Sequence, residues 1–321
     1  MNRRAAFTLI ELLIVAVIFA SLFGLVLVGV RPGAAGEVRR AAQSLVSAIL
    51  ATQARALGNP AGAGLILEPN GAVGSVTAVS AADMLPLITG SCSSGMPPAD
   101  RSATTASVTI TPSNAGAGEL ASGYRIQFGR SAPGQPAAPW MGFSGGSTVS
   151  STVSLRTANG QTAQNTIWPE SGPGGLPVVI ARYPAKGEML VDLGKPAALD
   201  LRYSGIGDGA GFDATWSNLA NKGPIGLTFD SVGGVDAVMQ QLLGAGTATV
   251  THPLSPVYLL VAPRRDVEAG TALASDRALW VAIHPQTGRV SVSSNVPQTG
   301  TDPTALRDAR AKARAQAVIG K

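Results

Sequence analysis

Cysteine is nearly absent from this chain. Of 321 residues only Cys92 is one, so no internal disulfide can form, and the run Gly90–Pro98 around it predicts a free thiol in a loop. Histidine is almost as scarce: His252 and His284 are the only two, each directly before a proline. An isolated imidazole lacks the partners that a catalytic or metal site requires, so both read as strand-end or loop residues. Aromatic residues make up 5% of the chain, which argues against a carbohydrate-binding face or a stacked platform for nucleic acid. Charged residues are sparse too, at 13%, while Gly and Pro number 39 and 22, so the soluble part is expected to be rich in strands and loops. The net charge is +5, but the cations gather near the N-terminus, around Arg31 to Arg40 and in the C-terminal tail, and define no basic patch. Nor does the chain show catalytic machinery. Gly205–Gly211 is glycine-dense but lacks the helix and lysine of a phosphate loop, and Ser204 has no glycine two residues before it to make a nucleophile elbow. We expect no enzyme.

What is present is a long apolar run with one acid in it. From Phe7 to Val30 the only charged residue is Glu11. At about 1.5 Å per residue a helix of this length reaches roughly 36 Å, enough to cross a hydrocarbon core of about 30 Å. Residues 7–30 are therefore read as a transmembrane helix. A charge in that core costs on the order of 2.5–3.5 kcal/mol and needs a partner. A free amine at Phe7 would supply one if the chain were cut between Ala6 and Phe7. Two other readings stand beside this one: a secretory signal peptide, whose apolar core is usually shorter and uncharged, and a signal anchor with an incidental glutamate.

The run Ala6-Phe7-Thr8-Leu9-Ile10-Glu11-Leu12-Leu13-Ile14-Val15 resembles the N-terminal segment of type IV pilins and type II secretion pseudopilins. The resemblance implies that a prepilin peptidase removes a leader, residues 1–6, that Phe7 becomes the N-methylated first residue, and that Glu11 meets the amine of a neighbouring subunit during assembly. It also implies other pilins or pseudopilins, an inner-membrane assembly platform and the lipid bilayer as partners. The N-terminus would be cytoplasmic and the C-terminal domain periplasmic, on the bacterial inner membrane. One departure is visible: the family nearly always has Gly before the cut, and this chain has Ala6. Many major pilins carry a C-terminal disulfide loop, which a chain with one cysteine cannot form.

Residues 31–58 are read as an amphipathic helix: Pro32-Gly33 predicts a kink or break where the chain leaves the membrane, after which Glu37 to Leu57 resumes helical spacing. Val38, Ala41, Leu45, Ile49, Thr52 and Ala56 recur at three- and four-residue steps, and Gly58-Asn59-Pro60 stops the helix. Together with its alanine-rich helix, the chain looks most similar to the H-type minor pseudopilins and related minor pilins. That resemblance implies an α+β fold in which the long N-terminal helix packs on a β-rich, mostly antiparallel domain.

Residues 60–300 are expected to form this domain. Strands are predicted at 107–110, 123–128, 177–180, 225–229 and 256–261, and a hairpin at 279–292, with long surface loops at 81–106 and 131–139. Asp208 and Asp213 flank a glycine turn, and some pseudopilins hold Ca²⁺ in such a C-terminal loop. A plain turn is the alternative, since Ca²⁺ wants about 6–8 oxygens. Residues 301–321 form a basic helix or tail that starts at Asp302-Pro303 and carries Arg307, Arg310, Lys312, Arg314 and Lys321. It reads as a solvated terminal element or as an anchor for an acidic partner or an anionic surface.

Overall fold

In the computed structural model the described residues are 34–59, 62–70, 74–94, 105–114, 124–129, 141–144, 150–157, 176–182, 184–208, 211–212, 223–240, 249–300 and 302–319. The predicted leader and membrane helix, residues 1–30, lie outside them. Among the described residues no helix is long and apolar enough to cross a membrane.

The first described helix, α1 (Ala34–Ala56), forms where the spacing predicts it. Val38, Ala41, Ala42, Leu45, Ile49 and Ala56 turn to one side and are buried. Thr52, on the same face, returns its hydroxyl to the Ala48 carbonyl at 2.8 Å, so no polar atom is stranded there. The helix ends before Gly58, whose φ of 76° takes the left-handed conformation that closes it.

The buried face of α1 shares one apolar core with a large antiparallel sheet. Its strands are β1 (Ala63–Asn70), β2 (Ser75–Asp83), β9 (Ala185–Asp192), β10 (Ala197–Ile206), β11 (Ile225–Phe229), β12 (Val235–Gln240), β13 (Thr249–Thr251), β14 (Val257–Pro263), β15 (Leu279–Ile283) and β16 (Val290–Ser294). They lie in the order β13-β12-β11-β1-β2-β10-β14-β15-β16, with β9 pairing β2 beside β10. The interior strand β14 is buried along its whole length. Alternation sorts its side chains into two layers: Val257, Leu259 and Val261 face the α1 core, whereas Tyr258, Leu260 and Ala262 enter a second core on the other side.

That second core is covered by α2 (Arg264–Glu268), a 3₁₀ turn (Ala272–Ala274) and α3 (Pro303–Ile319), which contributes Leu306, Ala309 and Ala313. Of the two readings of the tail, the solvated one is corrected: α3 is a packed layer. Its start follows the sequence, with Asp302 Oδ1 accepting from the Ala305 amide at 2.8 Å. The tail looked solvated because its apolar side is mostly alanine, and its one large buried side chain besides Leu306 is a cation, Arg310.

Six further strands close into a separate barrel: β3 (Ile88–Ser94), β4 (Thr105–Pro112), β5 (Arg125–Phe128), β6 (Met141–Ser144), β7 (Ser150–Thr157) and β8 (Leu176–Ala181), in ring order β3-β4-β7-β6-β5-β8. The expected loop at 81–106 is thereby corrected, since it contains the end of β2, all of β3 and the start of β4; residues 131–139 lie outside the described residues. Cys92 is corrected too. It is 2% exposed and belongs to the barrel core with Ile88, Ile110, Ile126, Phe128, Leu176, Val178 and Ile180. The strand was hard to read because Gly90 and Cys92 take inward places that a larger apolar residue usually fills. A Cβ on Gly90 would come within 2.5 Å of the Thr111 carbonyl oxygen, so a small residue is required by the close approach of β4.

Candidate functional site

Ala6, Phe7 and Glu11, the residues that processing and assembly would use, lie outside the described residues, as does Asp213. Asp208 is described, and its surroundings are organised by α3. Arg310, 0% exposed, donates from Nη1 to the Gly207 carbonyl at 2.7 Å and from Nη2 to the Tyr203 carbonyl at 2.6 Å. Its guanidinium carbon lies 5.4 Å from the Tyr258 ring centroid and 5.9 Å from that of Trp280. Those two rings meet edge to face at 6.1 Å. The two ring faces supply negative potential to the buried cation. Burial pushes the Arg310 pKa down to about 10, which leaves it charged at neutral pH.

One turn further along α3, Arg314 donates to the Tyr258 hydroxyl at 3.2 Å and to Asp208 Oδ1. Arginines four residues apart thus hold the end of β10 and the loop after it at two carbonyls and one carboxylate. The oxygens of Tyr203 and Gly207 and Oδ1 of Asp208 accept from guanidinium groups, so an ion here would have to share them, and Ca²⁺ wants about 6–8 oxygens. Among the described residues no group of three or more His, Cys, Asp or Glu is arranged to hold a metal. Sequence reading missed this clamp, although the i, i+4 spacing of Arg310 and Arg314 in an alanine-rich helix was its visible trace.

A buried ion pair lies on β10. Asp200, fully buried, accepts from Arg202 Nε at 3.0 Å and Nη2 at 2.6 Å, and Arg202 also donates to the Val267 carbonyl. Burial raises the Asp200 pKa, an effect that the Arg202 hydrogen bonds and charge offset only in part. Between Asp200 and Gly205 the pairing with β14 slips. The Ser204 hydroxyl bridges the gap, donating to the Asp200 carbonyl at 2.6 Å and accepting from the Leu260 amide at 3.0 Å.

The two histidines differ. His284 is exposed in the β15–β16 turn, where its backbone exchanges hydrogen bonds with Arg289 and Gly288, as expected of a loop residue. His252, just after β13, is drawn into a charged cluster with Asp236 of β12 and Arg125 of β5. Three segments distant in sequence supply that cluster, so no local pattern announced it.

None of these groups brings a nucleophile and a base together over an open cleft. The class of the protein comes instead from its first residues. Residues 1–27 match the family model described as the prokaryotic N-terminal methylation motif. That motif is the type IV pilin and pseudopilin signal, and it implies a membrane-anchored pilin, processing by a prepilin peptidase and assembly with other pilins. No curated protein and no solved structure matches the chain.

Proposed function

We propose that the chain is a minor pilin-like structural subunit of a type II secretion pseudopilus or a type IV pilus, of the H-type, and not an enzyme. The observation that carries this reading is continuity. The methylation signal at 1–27 leads, within a few residues, into α1, whose inner face is part of the sheet core. A subunit built this way transmits a pull on its N-terminal segment directly into its folded domain. It waits in the inner membrane through residues 7–30, with the N-terminus cytoplasmic and the sheet and barrel periplasmic. On extraction the apolar helix exchanges lipid for neighbouring helices, and Glu11 pairs with the amine of N-methyl-Phe7 on an adjacent subunit. The pair relieves an isolated charge in the apolar core and sets axial register. No bound cofactor is needed, because Arg310 and Arg314 hold the loop that calcium would otherwise organise.

N-terminal peptide analysis of the native protein tests the first step. The expected result is loss of Met1 through Ala6 and one added methyl group on Phe7. Retention of the six residues, or cleavage near Gly33 to Gly36, overturns the reading.

The barrel favours a second reading. A closed module with its own core, inserted between β2 and β9, is more than a helix-on-sheet subunit needs, and it supports a ligand-binding minor pilin used in DNA uptake or adhesion. Retention of DNA that weakens steeply with salt would support this reading, since phosphate contacts release counterions.

A further inference from the structure

We propose that Arg125, Asp236 and His252 form an acid-released latch that holds the inserted barrel in a fixed orientation against the sheet. The barrel leaves the sheet after Asp83 and returns at Ala185, and the two connectors are tied together where Arg182 donates to the Pro86 carbonyl from Nε at 3.2 Å and Nη2 at 3.0 Å. Both chain crossings are therefore at one end of the module, which makes them a hinge. At that same end of the module Arg125, paired with Ala181 just before Arg182, reaches from the barrel strand β5 into a socket on the sheet. It is 5% exposed. Its Nη2 lies 3.5 Å from Asp236 Oδ2, and its Nη1 lies 3.4 Å from His252 Nε2.

The socket works only with a neutral imidazole. His252 Nδ1 is 2.5 Å from the Asp236 backbone carbonyl. A carbonyl oxygen can only accept, so Nδ1 carries the proton and Nε2 is left bare to accept from Arg125. A second proton would have to go on Nε2. That would turn the acceptor into a donor facing another donor and set an imidazolium beside a guanidinium. The charged groups facing the ring are Arg125, which disfavours protonation, and Asp236, whose Oδ1 lies 3.6 Å from Nδ1 and favours it. Thr228 Oγ1, 3.3 Å from Asp236 Oδ2, holds that carboxylate in the socket.

Burial, the largest influence, lowers the His252 pKa. The latched state therefore binds the proton less readily than a solvent-exposed imidazole does. Its advantage is complete above the ordinary value of about 6.5 and is lost as pH falls below it. The barrel has its own apolar core, separate from those of the sheet, so it can swing as a unit when the latch opens.

The test is a distance measurement on the full chain in detergent, with spin labels on cysteines introduced at exposed Thr111 of the barrel and Val232 of the sheet. The buried Cys92 thiol stays unlabelled in the folded protein. At pH 8 the distance distribution should be narrow. On acidification it should broaden, with a midpoint below about 6.5 and an unchanged far-UV spectrum. Arg125→Ala should give the broad distribution already at pH 8, and His252→Gln, which cannot become charged, should abolish the pH response. A narrow distribution at every pH in the unsubstituted chain overturns the proposal without recourse to any variant at the latch. So does broadening that coincides with loss of the far-UV spectrum, because the barrel would then be unfolding rather than turning.

Discussion

Arg310 of α3 and Gly207 of the loop after β10 are joined by a 2.7 Å hydrogen bond across 103 residues of sequence, with the guanidinium fully buried. Replacing Arg310 by Ala would leave the Gly207 and Tyr203 carbonyls without their donors. At about 1–3 kcal/mol for each stranded group the loss should be on the order of 2–6 kcal/mol. Arg310→Lys should recover only part of it, since one ammonium cannot reproduce the planar fork. Chemical denaturation followed by tryptophan fluorescence reads both.

Calcium should not stabilise the native chain. Asp208 is held by Arg314, so adding Ca²⁺ or a chelator is expected to leave the thermal midpoint unchanged. A midpoint that rises with Ca²⁺ would show that the loop binds the ion despite the arginine clamp.

Asp200 should oppose acid denaturation. Its folded pKa is raised by burial, so the contribution of this group to stability is full below the unfolded value of about 3.8 and is lost as pH rises through the folded value. Asp200→Asn removes that contribution. As pH falls toward about 3.8 the unfolding free energy of the variant should therefore drop more steeply than that of the native chain; a shallower slope would contradict the assignment.

Glu11→Leu should leave membrane insertion intact, because it deletes the one charge in the 7–30 segment. Incorporation into filaments should fail or slow. Cell fractionation and filament shearing separate the two, and normal incorporation would refute a role for Glu11 in assembly.

Legibility followed the reach of the signals. The face of α1, the stop at Gly58, the β15–β16 hairpin and the Asp302 cap were visible because helical period, turn chemistry and capping act within a few residues. The strands at 225–229 and 256–261 were visible as short apolar runs. The runs at 107–110, 123–128 and 177–180 were visible too, as parts of β4, β5 and β8, but β3 and β7 are rich in Ser and Thr and were hidden, and closure depends on pairings such as Ile88 with Ile180 that span the whole module. The Arg310 clamp and the Arg125–Asp236–His252 cluster were hidden for the same reason: each assembles charges from remote segments, and burial of a charge has no local sequence signature. The N-terminal signal matched over residues 1–27 was legible because a lone acid in a membrane-length apolar run is costly wherever it occurs.

Asp83 and Ala185 form the last rung of the β2–β9 ladder, and the barrel begins and ends just beyond them. Joining those two residues by a short turn would convert 101 intervening residues into an ordinary hairpin and leave every strand of the sheet with its neighbours. The module is thus an insertion at a single hairpin of the sheet. Its removal would leave untouched the helix, the clamp and the N-terminal signal on which entry into a filament would depend.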